Sequence, residues 1–289
     1  AWMYLRLTEF YGNVPYFTHE LSVADSKRVT RTPHVQIMRA LHTELDSIMP
    51  HLPRRDDLTD DQRGQITCGA AVALQARAYL YDGDWAKAER YCNMLISQQE
   101  KYGHYSLFPN YAALFTQEAE YNEEIIADCE YAPKVRVWED MFNMAPLSVG
   151  ARLNEIAPTQ SLVDAFLMLD GQTAEQSPLY DAKRPYANRD PRLTATVAYD
   201  GYRWSDNVDD GTKDKIIYIN PDALDKTDAF AGLNKNQTPT GYYVRKYYDA
   251  KHEQRMQSSI NIITMRYADV LLMYAEAMNE QGKMSREVW

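Results

Sequence analysis

Arg266-Tyr267-Ala268-Asp269-Val270-Leu271-Leu272-Met273-Tyr274-Ala275-Glu276-Ala277-Met278-Asn279-Glu280 is the stretch on which the reading of the fold turns. It is strongly helical in character. Tyr267, Leu271, Tyr274 and Met278 fall at offsets 0, 4, 7 and 11, the spacing of a single helical face, and Gly282 ends the pattern. That face is expected to pack inward, so another helix must receive it. Arg266, Asp269 and Glu276 are expected to act as buried or capping polar groups that fix the packing.

The partner is found upstream. Thr67–Tyr81 is rich in Ala, Leu and Tyr, Asp82-Gly83-Asp84 reads as a turn, and Trp85–Gln99 resumes a helical pattern. Ala76, Tyr79, Ala88, Cys92 and Leu95 are separated by 3, 9, 4 and 3 residues. This small–large alternation is how a tetratricopeptide-like unit packs two antiparallel helices. One such pair cannot bury its own apolar face, so other helices must stack on it.

Further toward the N-terminus, Trp2–Tyr11 reads as a helix stopped by Gly12 and Pro15. Thr32-Pro33 opens another, with Thr32 as N-cap and Met38, Leu41, Leu45 and Ile48 on its inner face. Glu124–Glu130 suits a strand, Pro158-Thr159 starts a helix over Gln160–Leu169, and Tyr242–Tyr248 reads as a strand. Between them, residues 172–240 are rich in Asp, Asn, Pro and Gly, the mark of long loops and short strands.

The expected fold is therefore mainly α: tetratricopeptide-like helix pairs form a scaffold with a loop-rich, short-strand region packed on it. Residues 1–289 read as one domain, incomplete at both ends. Within it, 1–100 and 266–289 form the helical scaffold and 101–265 the variable, loop-rich, ligand-binding region.

Composition narrows the function classes. Lys and Arg total 31 against 41 Asp and Glu, a formal charge of −10. No basic stripe is present to displace counterions from a nucleic acid. Three cysteines, Cys68, Cys92 and Cys129, are too scattered for a disulfide framework or a CxxC zinc site, and the first two read as small buried hydrophobes. The 22 tyrosines outnumber Phe and Trp together, and a ring with a polar tip suits half-wet faces that meet sugars or peptides.

Six stretches, in order, resemble the SusD/RagB family of Bacteroidetes surface lipoproteins. They are Tyr11–Pro15, Ala70–Tyr81 with Trp85 and Ala88, and Pro158–Val163 with Asp170-Gly171. Arg189–Leu193, Thr240-Gly241-Tyr242 with Arg245-Lys246, and Arg266–Glu280 follow. The resemblance implies a non-catalytic nutrient-binding protein of the outer membrane, held at the cell surface by a lipid anchor lying outside this chain. It implies a SusC-type TonB-dependent transporter as partner and oligosaccharides or peptides as cargo.

The residues themselves carry no catalytic signature. His19-Glu20 and His252-Glu253 open like a zinc-protease motif, but Val23 and Met256 stand where the second His is needed. No GxSxG elbow or phosphate-binding Gly loop is present. An all-helical glycoside hydrolase, the remote alternative, would need a positioned acid pair that the sequence does not single out. Asp206, Asp210 and Gly211 match positions of a calcium loop. Val208 and Ile217 break it, which leaves only a looser site on Asp206, Asp209 and Asp210.

A sugar site needs aromatic faces with hydrogen-bonding side chains around them. Tyr199, Tyr202, Arg203, Trp204, Asp206 and Asn207 place that mix within nine residues of loop, with Trp138, Tyr180 and Tyr186 as secondary candidates. The competing reading of Trp204 is a staple that holds its loop on the protein.

Overall fold

A computed structural model describes residues 1–204, 214–230, 236–249, 256–286 and 288. The helices in chain order are α1 (Trp2–Tyr11), α2 (Val23–Ser26), α3 (His34–Ile48), α4 (Cys68–Tyr81), α5 (Trp85–Ser97), α6 (Gln99–Tyr102), α7 (Gln160–Ala165), α8 (Pro191–Thr196) and α9 (Tyr267–Glu280). The strands are β1 (Ile125–Cys129), β2 (Val197–Ala198), β3 (Tyr202–Trp204), β4 (Lys215–Ile217), β5 (Tyr243–Val244) and β6 (Ile262–Arg266). They pair as three two-stranded sheets, β1 with β6, β2 with β5 and β3 with β4. The architecture is mainly helical with short sheets. Two compact units emerge, one made of Ala1–Leu107, Tyr121–Cys129 and Ile263–Trp289, the other of Phe108–Glu120 and Glu130–Ile262.

In the first unit α4 is the central helix. Its run of Ala, Val and Leu is apolar all round, which is the pattern of a helix covered on every side, and every residue from Cys68 to Leu80 except Arg77 is buried. Thr67 starts it by accepting the Ala70 N–H, and Asp84 starts α5 by accepting that of Lys87. Ala76, Ala88, Cys92 and Leu95 are fully buried, so the two backbones approach closely. Gly69 belongs to the same logic, since a Cβ there would lie 2.2 Å from the Tyr105 hydroxyl oxygen.

One polar network crosses this core. Gln75, completely buried, donates to Asp46 Oδ1 at 2.9 Å and to the His42 carbonyl, while its own Oε1 lies 2.8 Å from His42 Nδ1. Tyr91 also donates to Asp46, at 2.6 Å, and His42 stacks on Tyr79 at 3.7 Å. Helices α3, α4 and α5 are thereby held in register, because a buried donor left unmatched is costly.

Helix α9 closes the unit on α4 and α5. It buries Tyr267, Val270, Met273 and Ala277. The expected face ran through Tyr267, Leu271, Tyr274 and Met278, and the last three are only partly buried. Both stripes are apolar, and the small Ala277 is what permits close contact with the Ala-rich partners. The start of α9 is fixed by charge. Arg266 reaches Glu124 Oε1 at 2.8 Å, and the Tyr267 N–H donates to the Glu124 carbonyl. Asp269 accepts the Arg266 N–H at 3.1 Å. Glu276, expected to join this group, is exposed.

Other local expectations shift for equally simple reasons. Asn13 Oδ1, not Thr32, takes the first N–H of α3, at His34, while Thr32 pairs with Val14 in an isolated bridge. The inner face of α3 uses Ile37, and Ile48 is exposed. Helix α7 stops at Ala165 because Arg189 takes the carbonyls of Val163 and Phe166, both at 2.6 Å, and Met168 bridges Arg189 instead of extending the helix. The strand read over Tyr242–Tyr248 shrinks to Tyr243–Val244.

Breaking the Arg266–Glu124 pair is expected to unsettle the first unit. Glu124 is 3% exposed, so Arg266→Met should cost about 3–5 kcal/mol in denaturant unfolding. The Arg266→Met/Glu124→Leu double variant should lose less than either single one.

Candidate functional site

The second unit holds nearly all the residues nominated from sequence. Strand β3 alternates inward, outward, inward, so Tyr202 and Trp204 enter the core while Arg203 points out and pairs with Asp214. Trp204 is fully buried, packed on Tyr248 at 4.7 Å with the Arg245 guanidinium over its ring at 5.0 Å. Its burial supports the staple reading and leaves no open ring face. Trp138 is also buried, and its indole N–H donates to the Ile260 carbonyl at 2.9 Å.

Tyr186 and Tyr199 stack at 3.9 Å, and Tyr199 meets Tyr202 edge-on at 5.4 Å. The three form a continuous aromatic row, anchored at one end where Tyr186 meets Tyr242 and at the other where the Tyr202 hydroxyl donates to the Thr194 carbonyl. Burial raises the Tyr202 phenol, so it stays neutral and keeps that proton. Tyr180 stands apart from this row, exposed on a turn. Asp206, Asn207, Asp209 and Asp210 lie outside the described residues. Among the described residues, no group of three or more His, Cys, Asp or Glu is set to hold a metal.

The row leads to a cavity of about 400 Å³ walled by Phe115, Thr194, Tyr202, Arg245, Lys246 and Tyr247. Its construction explains two of the quoted motifs. Asp190 caps α8 by accepting the Arg192 N–H and pairs with the Arg192 guanidinium, which holds its carboxyl below the usual range. Pro191, at the first turn of α8, and Thr194 then form one wall. The Thr196 carbonyl at the far end of α8 accepts the N–H groups of Arg245 and Lys246, which seats the Arg245–Tyr248 segment opposite. Lys246 Nζ lies 4.0 Å from the centre of the Phe115 ring, and Phe115 meets Tyr247 edge-on at 5.1 Å. Tyr247 itself is held at φ 66, a left-handed conformation that few non-glycine residues adopt and that clusters at functional sites.

Of the nominated residues that are described, only Tyr202 lines this cavity. Arg245, Lys246 and Tyr247, which the sequence reading does not nominate, line it as well. The available signal is two cations followed by two tyrosines, inside the stretch whose pattern suits a strand.

The model of the SusD family matches residues 139–286, just over half of the chain. The chain belongs to the SusD family. Its fold agrees with that assignment. A crystal structure of a SusD-like carbohydrate binding protein from Bacteroides fragilis superposes with a TM-score of 0.87 at 23% identity, covering 99% of this chain and 54% of that one. The surface glycan-binding protein A from Bacteroides uniformis matches with a TM-score of 0.62 at 20% identity, over 97% of this chain and 52% of that one. In sequence, SusD-like protein P25 of Formosa agariphila is 25% identical over 97% of this chain and 50% of its own length. This SusD-family chain thus spans about half the length of the relatives it matches.

The two readings of Trp204 separate experimentally. Trp204→Ala in this SusD-family chain should lower stability by about 3–5 kcal/mol in denaturant unfolding, as expected for a core aromatic. A stable variant with only weakened ligand binding would restore the ligand-contact reading.

Proposed function

We propose that the protein binds nutrient oligosaccharides at the cell surface, without hydrolysing them, and delivers them to a SusC-type TonB-dependent transporter. The observation that carries this reading is the cavity walled by tyrosine, cation and threonine side chains in a chain of the SusD family. A ring face packs on sugar C–H surface while Arg, Lys and Thr hydrogen-bond hydroxyls. At about 400 Å³ the space lies in the range of small-molecule sites, which runs from roughly 300 to 1,000 Å³. Relatives described as carbohydrate binding and glycan-binding support the cargo class.

No helix among the described residues is long and apolar enough to cross a membrane. We assign attachment to the outer membrane to a lipid anchor. A peptide or another nutrient is the second cargo, favoured by the acidic chain, which carries 41 Asp and Glu, and by its many tyrosines.

Calorimetric titration of the full-length protein against plant, host and microbial oligosaccharides, with mixed peptide pools alongside, tests the reading. One glycan class is expected to bind, and Tyr247→Ala should weaken it by roughly ten-fold, about the worth of one aromatic contact. Silence across all glycans with binding of peptides would transfer the site to the second cargo.

A further inference from the structure

The helical unit has its own cavity, of about 330 Å³, walled by Arg55, Asp56, Arg63, His104, Tyr121 and Glu123 among others. We propose that this cavity is a second carbohydrate site, distinct from the tyrosine-walled cavity of the other unit, which takes one or two neutral sugar units.

Arg55 lines one wall of the cavity. Its Nη2 donates to the carbonyls of Tyr121 and Asn122, at 2.9 and 3.1 Å, and its guanidinium lies over the Tyr105 ring at 5.4 Å. Its Nη1 is buried yet meets no hydrogen-bond acceptor in the protein. A buried N–H without an acceptor is costly, and turning the guanidinium toward a ligand oxygen in the cavity would relieve that cost.

The loop around it is shaped for the purpose. Arg55 holds the Tyr121 carbonyl while Tyr121 itself sits at φ 59, again left-handed for a non-glycine residue. Arg63 lies over the Tyr121 ring at 5.5 Å and pairs with Asp60. Strain of this kind persists only where the surroundings impose it, and it gathers at ligand clamps.

The charges select the ligand class. Arg55 and Arg63 share the walls with Asp56, Glu123 and Asp128. His104 also lines the wall, and its hydrogen bond to Asp56 at 2.8 Å shifts the ring toward the protonated form. A phosphate, sulfate or uronate would meet the carboxylates, and an amine would meet the guanidinium groups. A hydroxyl both donates and accepts, so a polyhydroxylated neutral ligand can satisfy walls of both signs.

The test is ligand-observed NMR on the full-length protein carrying Tyr247→Ala, which disables the other cavity. The probes are methyl β-D-glucopyranoside, methyl β-D-galactopyranoside, sodium glucuronate and sodium sulfate. A neutral glycoside is expected to bind at millimolar concentration, and Arg55→Met on the same background should weaken it about ten-fold. Because Arg55 also holds the Tyr121 turn, its loss can unfold the unit. Arg63→Gln, at a half-exposed side chain, is then the measurement, with a loss of about three-fold expected. Failure of both neutral glycosides to bind, indifference to both substitutions, or preference for glucuronate or sulfate would each overturn the proposal. Failure of Tyr247→Ala to affect oligosaccharide titration would count against the other cavity alone.

Discussion

Everything in the helical unit depends on how closely α4 lets its neighbours come. Ala76, Ala88, Cys92 and Ala277 are fully buried at its contacts with α5 and α9. Small side chains there bring backbones together and let Val72, Val270 and Leu95 fill the gaps, which is what close packing requires. Of the polar groups inside, Gln75 is matched by Asp46 and His42, and Arg266 by Glu124. Arg55 and the Tyr121 turn border a cavity in the same unit.

In the second unit order comes from capping rather than from long helices. Arg189 closes α7, Asp190 opens α8, and the end of α8 seats Arg245 and Lys246. The Arg189-Asp190-Pro191-Arg192 turn and the Arg245-Lys246 pair are thus two halves of one construction. Its product is a wall of Thr194 on one side and Lys246 with Tyr247 on the other. Side chains that look functional in isolation, such as Trp204 and Trp138, hold that construction together from within.

How far the sequence could be read follows the same division. Helices α4, α5 and α9 were legible because a period of 3.6 over more than ten residues is hard to mistake. The stripe on α9 was not, since Val270-Leu271 and Met273-Tyr274 offer two adjacent apolar faces and only the neighbouring alanines decide between them. The strand β3 is three residues long, too short for its alternation to show that Trp204 turns inward and Arg203 outward. The cavity wall was least legible of all. Phe115 and Lys246 are far apart in sequence, and only the folded chain brings them to 4.0 Å.

Sugar recognition is proposed to lie on the tyrosine-and-cation cavity of the second unit. A crystal structure of the full-length protein with an oligosaccharide selected by titration tests it most directly. The account predicts a sugar ring in the cavity of about 400 Å³, in contact with Tyr202, Lys246 and Tyr247. An oligosaccharide ordered elsewhere on the protein, with those three side chains untouched, would contradict it.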